Sequence, residues 1–197
     1  MNLTIRRVLI FILLVALSVG VGFSYDAVAT AVEKKQHPMP SRYAPLIEEQ
    51  AKEFGVPAAI IWAVVRCESD FASDAVAEDG AVGLMQITPQ QMEQVYSEIF
   101  CESIPDQGIL YDPKTNLRIG TARLSQLYQT YGVWDTVYAA WYVGTETVDG
   151  WLLDDEITNE QGQLANIPHK ATAKFVTSVK KSAKMYTELY YTSQSES

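Results

Sequence analysis

The sequence predicts an all-α fold: a single, mainly helical globular domain behind an N-terminal apolar helix. Nearly every segment after residue 42 carries apolar residues at helical spacing, and no segment alternates as a strand would. The helix-start signals Thr88-Pro89 and Asp112-Pro113 stand before two of these segments. About 150 residues follow residue 42, which is enough sequence for one hydrophobic core.

Two predicted helices lead to the residue of most chemical interest, Glu68. The first has an apolar face that stops before Gly55 and consists of Tyr43, Leu46, Ile47, Ala51 and Phe54. Val56-Pro57 then opens a second helix, whose apolar residues are Ile60, Ile61, Val64 and Val65. Glu68 therefore sits where a buried helix emerges from the core.

Four further helices complete the predicted domain. The third runs from Thr88-Pro89 to about Phe100, and the fourth from Asp112-Pro113 to Gly132. The inward face of the fourth is predicted to contain Leu117, Gly120, Leu124, Leu127, Tyr128 and Tyr131. A fifth helix spans Asp135 to Gly144, and the last runs from about Thr172 to Tyr186.

The N-terminus predicts export. Arg6-Arg7 precede an apolar run over 8–23, and Ala27-Val28-Ala29 offers a cleavage site of small residues. Residues 1–29 are therefore expected to form either a cleaved signal peptide or an uncleaved membrane anchor. In both cases the arginines stay inside and the domain lies outside the cytoplasmic membrane, anchored or secreted to the cell wall. We expect a polar linker over 30–41, the folded domain over 42–190 and a polar tail over 191–197.

Charge and histidine content exclude two classes of function. The net charge of −9 and the lack of a recognisable basic stripe argue against nucleic acid as a partner. His37 and His169 are too few and too isolated for a metal site, and nothing indicates a cofactor.

Cys67 and Cys101 are the only cysteines, and export allows two states for them. Outside the cytoplasm they can form a disulfide, which would tie the segment before Glu68 to the end of a later helix. Alternatively, both are small buried hydrophobic residues with free thiols.

The neighbourhood of Glu68 suits a general acid. Cleavage of a glycosidic bond requires a proton on the leaving oxygen, and an apolar environment such as Ile60 to Val65 favours the protonated carboxyl. A glycosidase usually has a second carboxylate, but Asp70, Asp74, Glu78 and Asp79 all lie in a polar segment with no distinguishing feature.

A glycine-containing segment, 80–86, follows Glu68 and is expected to line a groove. Its glycines permit close ligand approach, Gln86 can bond a sugar hydroxyl or acetamido group, and Met85 offers an apolar contact. Tyr138, Trp141 and Tyr142, with Trp134 and Trp151 nearby, are expected either to stack on sugar rings or to pack in the core.

Taken in order, these segments resemble the soluble-lytic-transglycosylase (SLT) type of peptidoglycan lytic transglycosylase. The resemblance covers about residues 43–190. It rests on Glu68-Ser69, Gly80-Ala81-Val82-Gly83-Leu84-Met85-Gln86 with Ile87-Thr88-Pro89, Tyr111-Asp112-Pro113 with Asn116, Ala139-Ala140-Trp141-Tyr142-Val143-Gly144, and Ile167-Pro168 with Thr172 and Val176.

The resemblance implies a lysozyme-like fold of the goose type and non-hydrolytic cleavage of the bond between N-acetylmuramic acid (MurNAc) and N-acetylglucosamine (GlcNAc). The muramyl 6-hydroxyl would attack C1 to leave a 1,6-anhydro end, with Glu68 as the only acid and base. The residues expected to bind the glycan strand are Ser69, Met85, Gln86, Tyr138, Trp141 and Tyr142.

Four positions depart from the family pattern. Where the family usually has Ala-Tyr-Asn-x-Gly, this chain has Ala140-Trp141-Tyr142-Val143-Gly144. It has Ala77 where a serine is common in the family, and Ala171 where the family has a glutamate in the groove. These departures keep two alternatives open. One is a membrane-tethered module that binds peptidoglycan with little turnover, and the other is a muramidase that hydrolyses the same bond.

Overall fold

The structure is a computed structural model that describes residues 28–192. It divides into two units, with the boundary between Pro38 and Met39. The predicted apolar N-terminal helix and the cleavage site lie almost entirely outside the described residues. Residues 28–36 are helical and include the first part of the expected polar linker. Between residues 28 and 192, no helix is long and apolar enough to cross a membrane.

The second unit is all-α, as the sequence predicts. Its helices are α1 (Ala44–Phe54), α2 (Ala58–Ser69), α3 (Pro89–Gln94), α4 (Pro113–Tyr131), α5 (Trp134–Val143), α6 (Thr145–Leu152) and α7 (Lys170–Tyr186). Two π-helical turns, Val95–Phe100 and Thr187–Tyr191, prolong α3 and α7, and a short 3-10 helix spans Gln107–Tyr111. The described residues contain isolated β-bridges but no sheet.

The helix boundaries follow local signals that the sequence displays. Gly55 ends α1 and Gly132 ends α4, both in the left-handed region, with φ of 67°. Thr88 caps α3 in a reciprocal capping box with Gln91. Asp112 caps α4 by accepting a hydrogen bond from the Thr115 backbone N–H. These caps explain why the third and fourth helices begin where the sequence predicts.

The core is built around α2, whose residues 59–65 are all buried. Helix α7 packs along α2 and α5, and α4 packs against α1 and α5. Tyr128, predicted on the inward face of α4, is instead 40% exposed and stacks on Trp134 at 4.3 Å between ring centroids. Of the other predicted core positions of α4, Leu117, Gly120, Leu124 and Leu127 are buried, whereas Tyr131 is only partly buried against the core.

The folded unit extends past both of its predicted boundaries. Met39 packs against the core at the N-terminal end. At the C-terminal end, the Tyr191 hydroxyl donates to Glu48 at 2.7 Å and accepts a hydrogen bond from Trp62 Nε1 at 3.1 Å. Tyr191 therefore belongs to the domain and not to a polar tail.

Candidate active site

Glu68 lies in the last turn of α2, on the wall of an open cleft of about 490 Å³. Helix α2 ends one residue later, because Asp70 adopts the left-handed conformation with φ of 46°. The other residues that line the cleft are Ala77, Asp79, Ala81, Gln86, Thr88, Gln91, Trp141 and Tyr142. Helices α2, α3 and α5 and the segment between α2 and α3 thus meet around one carboxyl group.

Burial raises the pKa of Glu68 to about 7, well above the ordinary value of 4.5. The hydrogen bond from Trp141 opposes this rise, and the negative charge of Asp79 adds to it. Glu68 therefore holds a proton across the weakly acidic range and releases it near neutrality. A group with this behaviour can serve as an acid and, once it has given up its proton, as a base.

Trp141 orients the Glu68 carboxyl. Its indole Nε1–H donates to Glu68 Oε1 at 2.6 Å, and only 5% of the residue is exposed. An indole N–H can donate but cannot accept, so Oε1 is the accepting atom of this hydrogen bond. In the neutral acid the carbonyl oxygen is the better acceptor, so this hydrogen bond favours the transferable proton on Oε2. The Trp at this departure from the family pattern therefore bonds directly to the Glu68 carboxyl.

Gln86 lines the cleft in a strained backbone conformation. Its φ is 47°, and its amide nitrogen donates to the carbonyl oxygens of Ala75 at 3.1 Å and Gly83 at 2.9 Å. Both amide hydrogens are thus committed to the loop. No residue between 28 and 192 donates to its side-chain carbonyl oxygen, which is available to accept a hydrogen bond from a ligand.

The glycine segment is anchored to the core by backbone hydrogen bonds. Val82 and Ile87 exchange backbone hydrogen bonds at 3.0 Å, and Gly83 has φ of 81° between them. A Cβ at Gly83 would lie 2.8 Å from the Leu110 carbonyl oxygen and against the Asn116 amide. Only glycine fits this position, for reasons of both conformation and space.

The expectation that Met85 binds a ligand in the cleft is wrong, because Met85 does not line the cleft. The side chain is fully buried and packs against Gly120 of α4, where a Cβ would leave no room for it. Ser69 is also absent from the cleft lining. Its hydroxyl donates to the Leu84 carbonyl at 2.8 Å and to the Val65 carbonyl at 3.2 Å, so it ties the end of α2 to the glycine segment.

The three candidate aromatic residues of α5 separate into different environments. Tyr138 is 3% exposed and packs against Trp134 at 5.9 Å, so it belongs to the core and not to a sugar-stacking surface. Trp141 is buried beside Glu68. Tyr142 is 45% exposed, lines the cleft and stacks on Phe175 at 4.8 Å between ring centroids. Tyr142 is therefore the aromatic surface of this cleft that a ligand can reach.

Cys67 and Cys101 are free thiols, so the expected disulfide is not formed. The Cys67 sulfur lies 3.8 Å from the Ser182 hydroxyl, and Cys101 is exposed at the end of the π-helical turn after α3. The alternative expectation of two buried thiols is also wrong for Cys101. Burial raises the pKa of Cys67, which disfavours the reactive thiolate.

The sequence did not single out Asp79, Thr88 and Gln91 as cleft residues. Thr88 and Gln91 form the capping box of α3, a recognisable pattern that places both side chains at the start of that helix. Asp79 had no distinguishing signal among four neighbouring carboxylates. Its Oδ1 accepts from the Ala81 backbone N–H at 3.1 Å, which orients it within the segment that forms the cleft wall.

Comparison with known proteins identifies the family. Residues 45–163 match the model of the transglycosylase SLT domain. A relative in Yersinia enterocolitica, membrane-bound lytic murein transglycosylase C, is 34% identical over 101 residues, which cover 51% of this chain and 27% of the relative. The chain therefore corresponds to about a quarter of the length of that relative.

Solved structures of similar fold support the same family. An inactive mutant of the lytic transglycosylase Slt from Pseudomonas aeruginosa has a TM-score of 0.69 and 29% identity over 79% of this chain and 25% of its own. The 70 kDa soluble lytic transglycosylase from Escherichia coli has a TM-score of 0.72 and 25% identity over 81% of this chain and 26% of its own. The fold, the cleft and the family model agree, and the chain belongs to the transglycosylase SLT domain family.

Proposed function

We propose that this chain is a lytic transglycosylase that cleaves the MurNAc–GlcNAc bond of peptidoglycan and leaves a 1,6-anhydro-MurNAc end. The observation that carries the proposal is the environment of Glu68, a carboxyl whose pKa is raised to about 7 and which Trp141 holds in an open cleft. The family supports the reaction class, since its similar members are named lytic transglycosylases.

Glu68 acts first as an acid and then as a base. The proton on Oε2 passes to the glycosidic oxygen, the bond from MurNAc C1 to that oxygen breaks, and GlcNAc leaves with a new 4-hydroxyl. The carboxylate then takes the proton of the muramyl 6-hydroxyl as its oxygen attacks C1. The net change is one C–O bond broken and one formed, with a proton moved from O6 to O4, so neither water nor a cofactor is consumed.

Trp141, Gln86 and Tyr142 support this chemistry in different ways. The Trp141 N–H stabilises the carboxylate that exists between the two proton transfers. The free carbonyl oxygen of Gln86 accepts a hydrogen bond from a sugar hydroxyl or acetamido N–H. The exposed ring of Tyr142 stacks on a sugar face at the edge of the cleft.

The substrate sets the location and the partner of the chain. Peptidoglycan lies outside the cytoplasmic membrane, which agrees with the Arg6-Arg7 and apolar pattern of residues 1–29 as a signal peptide or an anchor. The glycan strand is the proposed partner of the cleft. N-terminal sequencing of the exported protein distinguishes an anchor, with residue 1 or 2 retained, from a cleaved signal.

Hydrolysis is the second candidate activity, and Asp79 is the observation that favours it. Asp79 lines the same cleft as Glu68, and its charge reaches Glu68 strongly enough to raise the pKa of that residue. A muramidase would use such a carboxylate to activate water or to attack C1. The product would then have a reducing MurNAc end in place of an anhydro end.

Digestion of purified sacculi by the wild type, Glu68→Gln and Asp79→Asn tests the proposal. We expect soluble anhydro-muropeptides from the wild type, none from Glu68→Gln, and product retained by Asp79→Asn. Loss of product in Asp79→Asn together with reducing ends in the wild type would establish hydrolysis. Sacculus binding without any product would establish the third candidate, a binding module with little turnover.

A further inference from the structure

Helix α7 carries a row of lysines on its outer face. Four of them, here called the lysine stripe, are exposed and lie at the spacing of one helical face: Lys170, Lys174, Lys181 and Lys184. At a rise of 1.5 Å per residue, the stripe is about 21 Å long. The helix contains five lysines and no carboxylate, in a chain of net charge −9. The stripe is therefore a local positive region, which corrects the expectation that no basic stripe is present.

Most of the stripe has no acidic partner in the fold. Lys184 forms an ion pair with Glu188 at 3.8 Å, one turn further along the chain. Between residues 28 and 192, no carboxylate forms an ion pair with Lys170, Lys174 or Lys181. Three of the four positive charges of the stripe are thus available to an anion from outside.

The stripe is unfavourable for the helix that carries it. Lys170 lies in the first turn of α7, where backbone N–H groups already give partial positive charge, and that turn contains no acidic residue. Lys170 and Lys174 are four residues apart, so their charges repel each other across one turn. The family glutamate that could pair with Lys174 one turn away is Ala171 in this chain. These lysines therefore do not serve the stability of α7.

The stripe faces away from the core and lies outside the catalytic cleft. A groove of about 560 Å³ beside Tyr142, walled by α2, α5 and α7, takes up one flank of α7, and Lys174 is the only stripe residue that lines it. No residue of the stripe lines the cleft that contains Glu68. The opposite side of α7 is buried in the domain through Thr172, Val176, Val179 and Tyr186. A partner bound along the stripe therefore does not occupy the cleft.

We propose that the lysine stripe docks the folded domain on an anionic lipid surface. A straight row of exposed lysines on one helix face matches a plane of lipid phosphates, and each lysine near such a surface strengthens the attraction about fivefold. Docking would fix the orientation of the cleft relative to the bilayer.

The N-terminal pattern favours a membrane over an anionic polymer of the cell wall. Arg6-Arg7 and the apolar run over 8–23 are expected to bring the chain to the membrane, and as an anchor they would hold the domain beside a bilayer. The proposal rests on this expectation and on the charge of α7. It does not depend on the reaction assigned to Glu68.

Lysine labelling with an N-hydroxysuccinimide ester, read by mass spectrometry, tests docking of the full-length chain in nanodiscs. The discs consist of phosphatidylcholine with or without anionic phosphatidylglycerol. We expect the labelling rates of Lys170 and Lys184 to fall at least about fivefold in the anionic discs. The rates should recover in about 1 M salt, where the Debye length is about 3 Å. Lys52, exposed on α1, should be labelled equally in both discs.

A double substitution, Lys174→Gln with Lys181→Gln, removes the middle of the stripe. In anionic discs it should restore the labelling rates of the two remaining stripe lysines to those in neutral discs. Lys52→Gln with Lys114→Gln changes the net charge equally at exposed positions of α1 and α4, and is the matched control. In this control the stripe should stay protected.

Equal labelling of the stripe in neutral and anionic discs would overturn the proposal. Protection that survives the double substitution in the stripe would overturn it as well, because another surface would then face the lipid. Protection by sacculi without lipid, together with none in anionic discs, would assign the stripe to an anionic wall polymer instead. Labelling requires no turnover, so a chain that docks and releases no product refutes only the proposed function.

Discussion

At the scale of single residues, the proposed activity depends on how the protein holds one proton, that of the Glu68 carboxyl. Glu68 follows the buried apolar residues 59–65 of α2 and bonds Trp141, and burial raises its pKa to about 7. A family glutamate could be recognised from the sequence because Glu68 stands in an ordered set of motifs. The hydrogen bond from Trp141 could not, because 73 residues separate the two side chains along the chain.

Trp141→Phe tests the orientation of the acid. Loss of the N–H removes a bond that favours the carboxylate, so the pKa of Glu68 should rise and the alkaline limb of the kcat/KM profile should move to higher pH. The loss of a hydrogen bond to a charged group should also lower kcat about tenfold.

Trp134→Phe is the matched control, because Trp134 stacks between Tyr128 and Tyr138 and does not line the cleft. Its pH profile should equal that of the wild type. An unshifted alkaline limb in Trp141→Phe would show that the indole does not hold the catalytic carboxyl.

Glu68→Gln should stabilise the fold at high pH while it removes activity. The folded pKa is raised above the unfolded value, so the native state binds more protons and the free energy of unfolding falls as pH rises from 4.5 to about 7. This rise corresponds to at most about 3 kcal/mol. Gln carries no charge and keeps an oxygen that accepts the Trp141 N–H.

Urea unfolding at pH 4.5 and pH 8 measures this effect. The variant and the wild type should have similar free energies of unfolding at pH 4.5, and the variant should be the more stable at pH 8. Glu78→Gln, at an exposed position of the same segment, should show little difference at either pH. A Glu68→Gln variant that is equally stable or less stable at pH 8 would contradict the buried-acid account.

At the scale of elements, the glycine segment is held in place by one side chain of α4. Asn116 is fully buried, accepts from the Met85 N–H at 2.8 Å, and donates to the carbonyls of Val82 at 2.8 Å and Leu110 at 2.9 Å. The sequence showed Asn116 as a motif residue next to a helix start. It could not show that Met85 turns inward, since the space for Met85 exists only because Gly120 lacks a side chain.

Asn116→Leu should destabilise the domain by about 3–5 kcal/mol, because it removes the Asn116 hydrogen bonds of the buried Met85 N–H and Leu110 carbonyl and leaves the Val82 carbonyl with only its bond from the Ile87 N–H. Denaturant unfolding gives the value, and Gln129→Leu on the exposed face of α4 is the control, expected within about 0.5 kcal/mol of the wild type. A mild effect of Asn116→Leu would mean that Asn116 is not the anchor of this segment.

At the scale of the whole molecule, the order of the helices was predictable because their signals are local. Apolar spacing, Gly55 and Gly132 as stops, and Thr88 and Asp112 as caps each act within a few residues. Helix α6 and the turn before α7 were not predicted from the sequence, because they lack strong capping and stop signals. The groove beside Tyr142 was also not predictable, because its walls come from three helices.

The central claim is that C1 of MurNAc is attacked by its own 6-hydroxyl, with Glu68 as the only acid and base. Digestion of sacculi by the full-length chain in H₂¹⁸O, followed by mass spectrometry of the released muropeptides, tests it most directly. We predict anhydro ends that lack one water and carry no ¹⁸O from the cleavage, and no products from Glu68→Gln. Reducing MurNAc ends with ¹⁸O at C1 from the first turnover would contradict the claim and assign the cleft to hydrolysis.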